Sequence, residues 1–149
     1  MRHPRHSTYL SLLLLLLPLF LQGQGRGSNY RFEKLPAGIG FSNTGVNDIL
    51  EDHRGFLWMA TWSGLAKYDG YSVKMYRQQP GNANGLKSNK VTQLCEDSKG
   101  NLWAGTNYTG FYRYNRELDV FEQYCRNPED MNSLSNDNVW AIFEDRGGT

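Results

Sequence analysis

Two pairs of neighbouring carboxylates, Glu51-Asp52 and Glu96-Asp97, are the residues of this 149-residue sequence whose chemistry most resembles that of a hydrolase. Each pair leads into a glycine and then a tryptophan, in Asp52-His53-Arg54-Gly55-Phe56-Leu57-Trp58 and in Asp97-Ser98-Lys99-Gly100-Asn101-Leu102-Trp103. Glycoside cleavage needs two carboxyl groups facing each other across a bond. Neighbours on a strand point to opposite faces, so neither pair can do this alone; only carboxylates from different units could converge. His53 is the single histidine after His6, and Ser98 and Arg146 replace it in the related segments. That pattern fits an exposed turn residue better than a general base. No Cys/His cluster, phosphate-cradling glycine loop or nucleophile elbow appears, so the sequence predicts no catalytic residue, no metal site and no cofactor.

The elements that position these residues are set by an internal repeat. Val46 to Trp58 returns as Val91 to Trp103 at a constant offset of 45 residues, and a third copy begins at Val139 and runs through Glu144-Asp145 to Gly147. Thr61, Gly64, Leu65 and Tyr68 correspond to Thr106, Gly110, Phe111 and Tyr114, with one residue inserted in the second copy. Phe41, Leu86 and Leu134 each precede the repeat valine by five residues. A period of this length belongs to propeller blades or paired-helix solenoids. Trp, Tyr, Phe, Val and Thr punctuated by Gly, Asn and Asp favour strands, and no long amphipathic stretch supports helices. The fold class expected is therefore all-β: propeller blades of four antiparallel strands, with two blades and the start of a third in an incomplete ring. Strands are predicted near 45–51, 56–61, 65–69 and 72–77, then near 90–96, 101–106, 111–115 and 119–124. Asp52 and Asp97 open tight turns closed by glycine. Because these residues and the tryptophans Trp58 and Trp103 recur in each copy, their expected role is to build the blade, since a catalytic residue is needed only once.

Before the repeats, a basic start (Arg2, His3, Arg5, His6) is followed by an apolar run from Tyr9 to Leu21 and by Gln22-Gly23-Gln24-Gly25. This is the pattern of a secretory signal, with a retained signal anchor as the competing reading. The expected organisation is a signal peptide over 1–25 and propeller repeats over 26–149. Within the latter come an N-terminal strand and linker (30–44), blade one (45–77), a linker (78–89), blade two (90–125), a linker (126–138) and the start of blade three (139–149). Two blades would leave long unpaired edges, so the chain is expected to be a truncated part of a longer protein. Losing the signal shifts the formal charge from +1 to about −1, which leaves no footprint for nucleic acid. Local alternations such as Glu51-Asp52-His53-Arg54 and Arg113-Tyr114-Asn115-Arg116-Glu117 read as solvated surface. Cys95 and Cys125 are compatible with a bridge in an oxidising compartment, but Cys95 takes the place of Leu50 and Phe143, which favours free thiols and a small buried side chain at 95.

These residues resemble the regulator-propeller repeats of bacterial hybrid two-component sensor histidine kinases. That unit runs Val-x-x-Ile-x-Glu-Asp-x-x-Gly-x-Leu-Trp-Ile-Gly-Thr, then Gly-Leu-x-x-Tyr-Asp. Here Leu57-Trp58-Met59-Ala60-Thr61 and Gly64-Leu65-Ala66-Lys67-Tyr68-Asp69 match it, as do Leu102-Trp103-Ala104-Gly105-Thr106 and Gly110-Phe111-Tyr112-Arg113-Tyr114-Asn115. Asn132 to Val139 is similar to the family's inter-blade segment. Ala60, Met59 and Ala104 depart modestly from the pattern. The resemblance implies the N-terminal part of a periplasmic sensor region, on the outer side of the inner membrane. Its partners would be an oligosaccharide ligand, further blades, downstream sensor domains and a second copy in a homodimer. Competing readings are the scaffold of a secreted propeller enzyme acting on glycans and a protein-interaction propeller.

Function is best sought where the copies differ, in the loop after the tryptophan strand. Trp62-Ser63 stands there in one copy and Asn107-Tyr108-Thr109 in the other. Trp62, Asn107 and Tyr108 are the expected ligand-binding residues, because an aromatic beside a short polar residue suits a sugar. The alternative is an aromatic packed between adjacent blades.

Overall fold

The computed structural model describes residues 45–148; the expected signal over 1–25 and the N-terminal strand and linker over 30–44 lie outside them. Eight strands form two four-stranded antiparallel sheets. The first comprises β1 (Val46–Glu51), β2 (Leu57–Thr61), β3 (Gly64–Tyr68) and β4 (Val73–Tyr76). The second comprises β5 (Val91–Glu96), β6 (Leu102–Thr106), β7 (Phe111–Asn115) and β8 (Val120–Tyr124). Each sheet is a plain meander in chain order, as in a propeller blade, and each strand ends within one residue of the span its residue types suggest. Among the described residues no helix is long and apolar enough to cross a membrane.

Register divides every blade into two ends. Val46 pairs with Thr61 and Thr61 with Gly64 at one end, and Glu51 pairs with Leu57 and Tyr68 with Val73 at the other. The first, with the β2–β3 and β6–β7 connections and the inter-blade linkers, is called the loop end. The second, with the Asp-x-x-Gly connections, is called the turn end.

The core lies between the two sheets. Trp58, Ala60 and Leu65 of blade one are fully buried against a surface that includes Leu94, Leu102, Tyr112, Tyr114 and Phe121 of blade two. Trp58 stacks on Tyr76 at 5.9 Å and meets Tyr114 edge-on at 4.9 Å, the offset and perpendicular arrangements that aromatic quadrupoles favour. Leu86, buried in the linker, is drawn into the same cluster.

Each first strand carries a one-residue irregularity, at Asn47 and at Thr92. A bulge of this kind re-aims a side chain, and here both bulged side chains reach the next copy. Asn47 Nδ2 donates to the Val91 carbonyl at 2.6 Å, and Thr92 Oγ1 donates to the Val139 carbonyl at 2.5 Å. Residues 139–148, expected as the start of a third blade, form no strand. They nevertheless dock on blade two as blade two docks on blade one. The Val139 N–H donates to the Thr106 carbonyl at 3.0 Å.

Gly64 and Gly110 occupy matching positions at the start of the third strand, with φ of +128° and +76°. A Cβ on Gly110 would overlap the Tyr124 carbonyl oxygen, whereas one on Gly55 (φ +80°) would meet open space. Gly55→Ala is therefore expected to cost about 1 kcal/mol from backbone conformation alone. Gly110→Ala should cost clearly more, because β8 must also move. Urea midpoints of the two variants check this, and equal losses would mean that the β7–β8 approach does not require a glycine.

Candidate functional site

At the turn end four of the carboxylates, Asp52, Asp97, Glu96 and Glu144, are consumed by structure. Asp52 Oδ1 accepts the backbone N–H groups of Arg54 and Phe56, both at 3.0 Å, and Oδ2 accepts Trp58 Nε1–H at 2.8 Å. Asp97 repeats the pattern with Lys99, Asn101 and Trp103. The glutamates of the same motif work one blade back. Glu96 Oε2 accepts the His53 N–H at 2.8 Å, and Glu144 Oε2 accepts the Ser98 N–H at 2.6 Å. Each motif thus closes its own turn with the aspartate and holds the preceding turn with the glutamate.

Arg116 adds an ion-pair bridge, and here the solvated-surface expectation is corrected. Its guanidinium, 11% exposed, meets Asp52 Oδ2 at 2.6 Å and Glu96 Oε1 at 2.8 Å. The four-residue connection after β7 brings it beneath the turn of blade one, where a buried carboxylate needs a cation. His53 is half exposed, with Nδ1 2.6 Å from Glu96 Oε1. At the outer edge Asp119, in left-handed backbone at φ 57°, accepts hydroxyls from Tyr76 and Tyr114, each at 2.6 Å, and pairs with Lys74. Burial alone would raise the Asp119 carboxyl, but Lys74 and the two hydroxyls outweigh it and hold it at about 2; burial and the same carboxylate push Tyr114 up to about 12. Among the described residues no group of His, Cys, Asp and Glu is arranged to hold a metal. Cys95 is half-buried and Cys125 exposed, both as free thiols, and burial raises the Cys95 thiol.

The loop end is built differently. The buried Thr61 and Thr106 hydroxyls donate to the carbonyls of Gly64 and Gly110, both at 2.7 Å, and so close the two loops. Within the longer loop Asn107 is fixed on both sides: its N–H donates to the Lys90 carbonyl at 2.9 Å, and its carbonyl accepts Ser88 Oγ–H at 3.2 Å. The Tyr108 N–H donates to Asn138 Oδ1 at 2.9 Å. Tyr108 stands at φ 81° with 64% of its surface exposed. A cavity of about 430 Å³ beside it is lined by Arg126, Ser135, Asn136, Asp137 and Asn138.

Trp62, 43% exposed, lies over Gly45 at the entry to β1. The structure thus places Trp62, Asn107 and Tyr108 at one end of neighbouring blades but joins only Asn107 and Tyr108 in one loop; no ring contact links Trp62 to Tyr108 among the described residues. Neither ring is buried between blades. Sequence reasoning missed Lys90 and Asn138, which hold the longer loop; their only signal was that the linkers, like the loops, differ between copies.

Two stretches of the chain, residues 40–63 and 85–108, match the family described as the two component regulator propeller. The chain carries two-component regulator propeller repeats. Over 69 residues, 46% of this chain and 5% of the relative, it is 38% identical to histidine kinase P4 of Formosa agariphila. Among solved structures it is similar to the extracellular domain of a protein assigned as the hybrid two component system BT3049 of B. thetaiotaomicron. The TM-score is 0.71 with 30% identity, covering 78% of this chain and 16% of that one. The extracellular domain of BT4673 from the same organism, assigned as a one component system, gives 0.63 at 28% identity over 82% and 16%. The chain therefore spans less than a fifth of these relatives.

In these regulator propeller repeats the turn-end network makes stability depend on pH. Burial would raise the Asp52 carboxyl, but hydrogen bonds from Arg116, Trp58 and the Phe56 and Arg54 N–H groups outweigh it and hold it at about 2, against an ordinary 3.8. The stabilisation, about 2 kcal/mol, is complete above pH 4 and lost as pH falls from about 4 towards 2. Denaturation midpoints measured between pH 7 and pH 2 should show this loss. Asp52→Asn should be less stable at neutral pH and show a shallower acid limb; an unchanged acid limb would remove Asp52 from the account.

Proposed function

We propose that this chain forms part of the ligand-sensing propeller of an exported two-component sensor and that its ligand is an oligosaccharide, bound at the loop end through Trp62, Asn107 and Tyr108. Tyr108 carries this reading. Left-handed backbone costs a residue with a Cβ about 1–2 kcal/mol, a cost that glycine avoids and asparagine lessens. Strain of this kind persists where the side chain is put to use. The exposed ring offers a flat apolar surface to one face of a sugar, and the amides of Asn107, Asn136 and Asn138 supply partners for its hydroxyls. Because the loop is held by hydrogen bonds before any ligand arrives, little ordering cost opposes binding.

Export is supported by the signal-like segment over 1–25 and by the likeness to extracellular domains. In this reading the parent chain is membrane-anchored. Further blades, downstream sensor domains and a second copy would convert ligand-shifted packing into control of a kinase. Asp52, Asp97 and Glu96 are each engaged in a turn or an ion pair and Glu51 is exposed opposite Leu57 rather than a carboxylate, which gives the alternative of a glycan-cleaving enzyme no support.

The test uses the full-length chain on an immobilised oligosaccharide array, followed by titration of the bound sugars. Tyr108→Asn is expected to leave stability unchanged or raise it by up to about 1 kcal/mol, while lowering affinity about 30-fold, as loss of a buried aromatic anchor does. Trp62→Ala should also weaken binding. Wild-type affinity in both variants would remove the loop end as the site.

A further inference from the structure

Some cations of this molecule are neutralised by carboxylates and others are not. Lys74, Arg113 and Arg116 each meet a carboxylate, Asp119, Glu122 and Asp52 respectively. Lys90 and Arg126, at the loop end, have no carboxylate at ion-pair distance among the described residues. Both border Tyr108. The Lys90 ammonium lies 5.4 Å from the centre of the Tyr108 ring, and Arg126 lines the cavity beside that ring.

The main chain of both residues is also fixed by hydrogen bonds. The Lys90 N–H donates to Ser88 Oγ at 3.1 Å and its carbonyl accepts the Asn107 N–H at 2.9 Å, so the residue is tied to the loop that carries Tyr108. The Arg126 N–H donates to Asp137 Oδ1 at 2.6 Å. Asp137 is the one acidic residue lining the cavity, and that bond occupies one of its oxygens. The matching position in the preceding linker is Asn89, whose Oδ1 accepts the Gln78 N–H at 2.7 Å. In the first copy, therefore, this backbone clamp is neutral on both sides. In the second, Gln78 is replaced by Arg126 and Asn89 by Asp137, and a cation is added beside the tyrosine. The clamp itself does not require the guanidinium.

We infer that Lys90 and Arg126 make the loop end selective for an acidic oligosaccharide, in which the sugar stacked on Tyr108 carries a carboxylate or a sulfate ester within reach of both cations. This rests on the loop end being the sugar site proposed above. An acidic substituent would meet two exposed cations that no carboxylate among the described residues neutralises, giving charge-assisted hydrogen bonds stronger than neutral ones. A neutral sugar would keep the stacking and lose those bonds.

Calorimetric titration of the full-length chain with four tetrasaccharides tests the inference: tetragalacturonate, its carboxyl-reduced form, a sulfated galactan tetrasaccharide, and its desulfated form. At least one acidic probe is expected to bind at least tenfold more tightly than its neutral partner, with affinity falling between 50 and 300 mM NaCl (concentrations of the order at which screening length changes appreciably). Which acidic probe binds separates carboxylate from sulfate recognition. Lys90→Gln and Arg126→Gln should each weaken the acidic probe about tenfold and leave the neutral one unchanged, with thermal melts confirming that both variants fold. Equal binding of acidic and neutral probes, or acidic binding indifferent to both substitutions, overturns the selectivity while leaving the sugar site standing. No binding of any of the four by a folded chain overturns both.

Discussion

The hydrogen bond from a tryptophan indole to the aspartate that opens its own turn is the interaction on which the rest of this structure depends. Asp52 uses one carboxylate oxygen on two turn N–H groups and the other on Trp58 Nε1. The indole can then be wholly buried without leaving a polar group unsatisfied. Once placed, the ring fixes the aromatic cluster with Tyr76 and Tyr114 that fills the space between blades. The same carboxylate, buried and charged, creates the demand that Arg116 answers from the next blade. A local turn and a contact between blades thus share one group, and this ties folding of a blade to docking of its neighbour.

This arrangement divides the molecule by chemistry. At the turn end Asp52, Glu96 and Arg116 neutralise one another, and Asp52 and Trp58 serve the turn and the packing. At the loop end the backbone is satisfied by hydrogen bonds donated by Thr106 and Ser88 and accepted by Lys90 and Asn138, while the side chains of Trp62, Tyr108, Lys90 and Arg126 are exposed. Rigid loops with uncommitted side chains on a braced scaffold are the usual setting for recognition.

The blades themselves were legible in the sequence because their determinants are local. Strand residues, Asp-x-x-Gly turns and the tryptophan recur at one spacing, so eight strands fall close to their expected spans. What could not be read is what joins residues far apart in the chain. Asn47 and Thr92 owe their reach to a bulge that no residue type announces. Glu96 and Glu144 reach turns more than forty residues back. Arg116, which looked like one charge in a solvated run, lies 64 residues from Asp52 and is chosen by the burial of that carboxylate. The aromatics at the loop end were found by comparing copies, since variation within a repeat shows where the fold imposes least. Their backbone conformation and the cations around them were not, because a single inserted residue decides how the loop closes.

That insertion is where the two copies of the scaffold diverge. Thr61 and Gly64 enclose two residues, whereas Thr106 and Gly110 enclose three, and the same threonine-to-glycine-carbonyl bond closes both loops at 2.7 Å. The extra residue therefore leaves the blade intact and appears wholly in the loop, where it takes Tyr108 to φ 81°. A glycine there would close the loop equally well and without strain. Closure thus accounts for the loop's length and for its hydrogen bonds, and leaves the tyrosine ring unaccounted for. Blade geometry asks for a residue at this point that tolerates positive φ, and it does not ask for an exposed aromatic face.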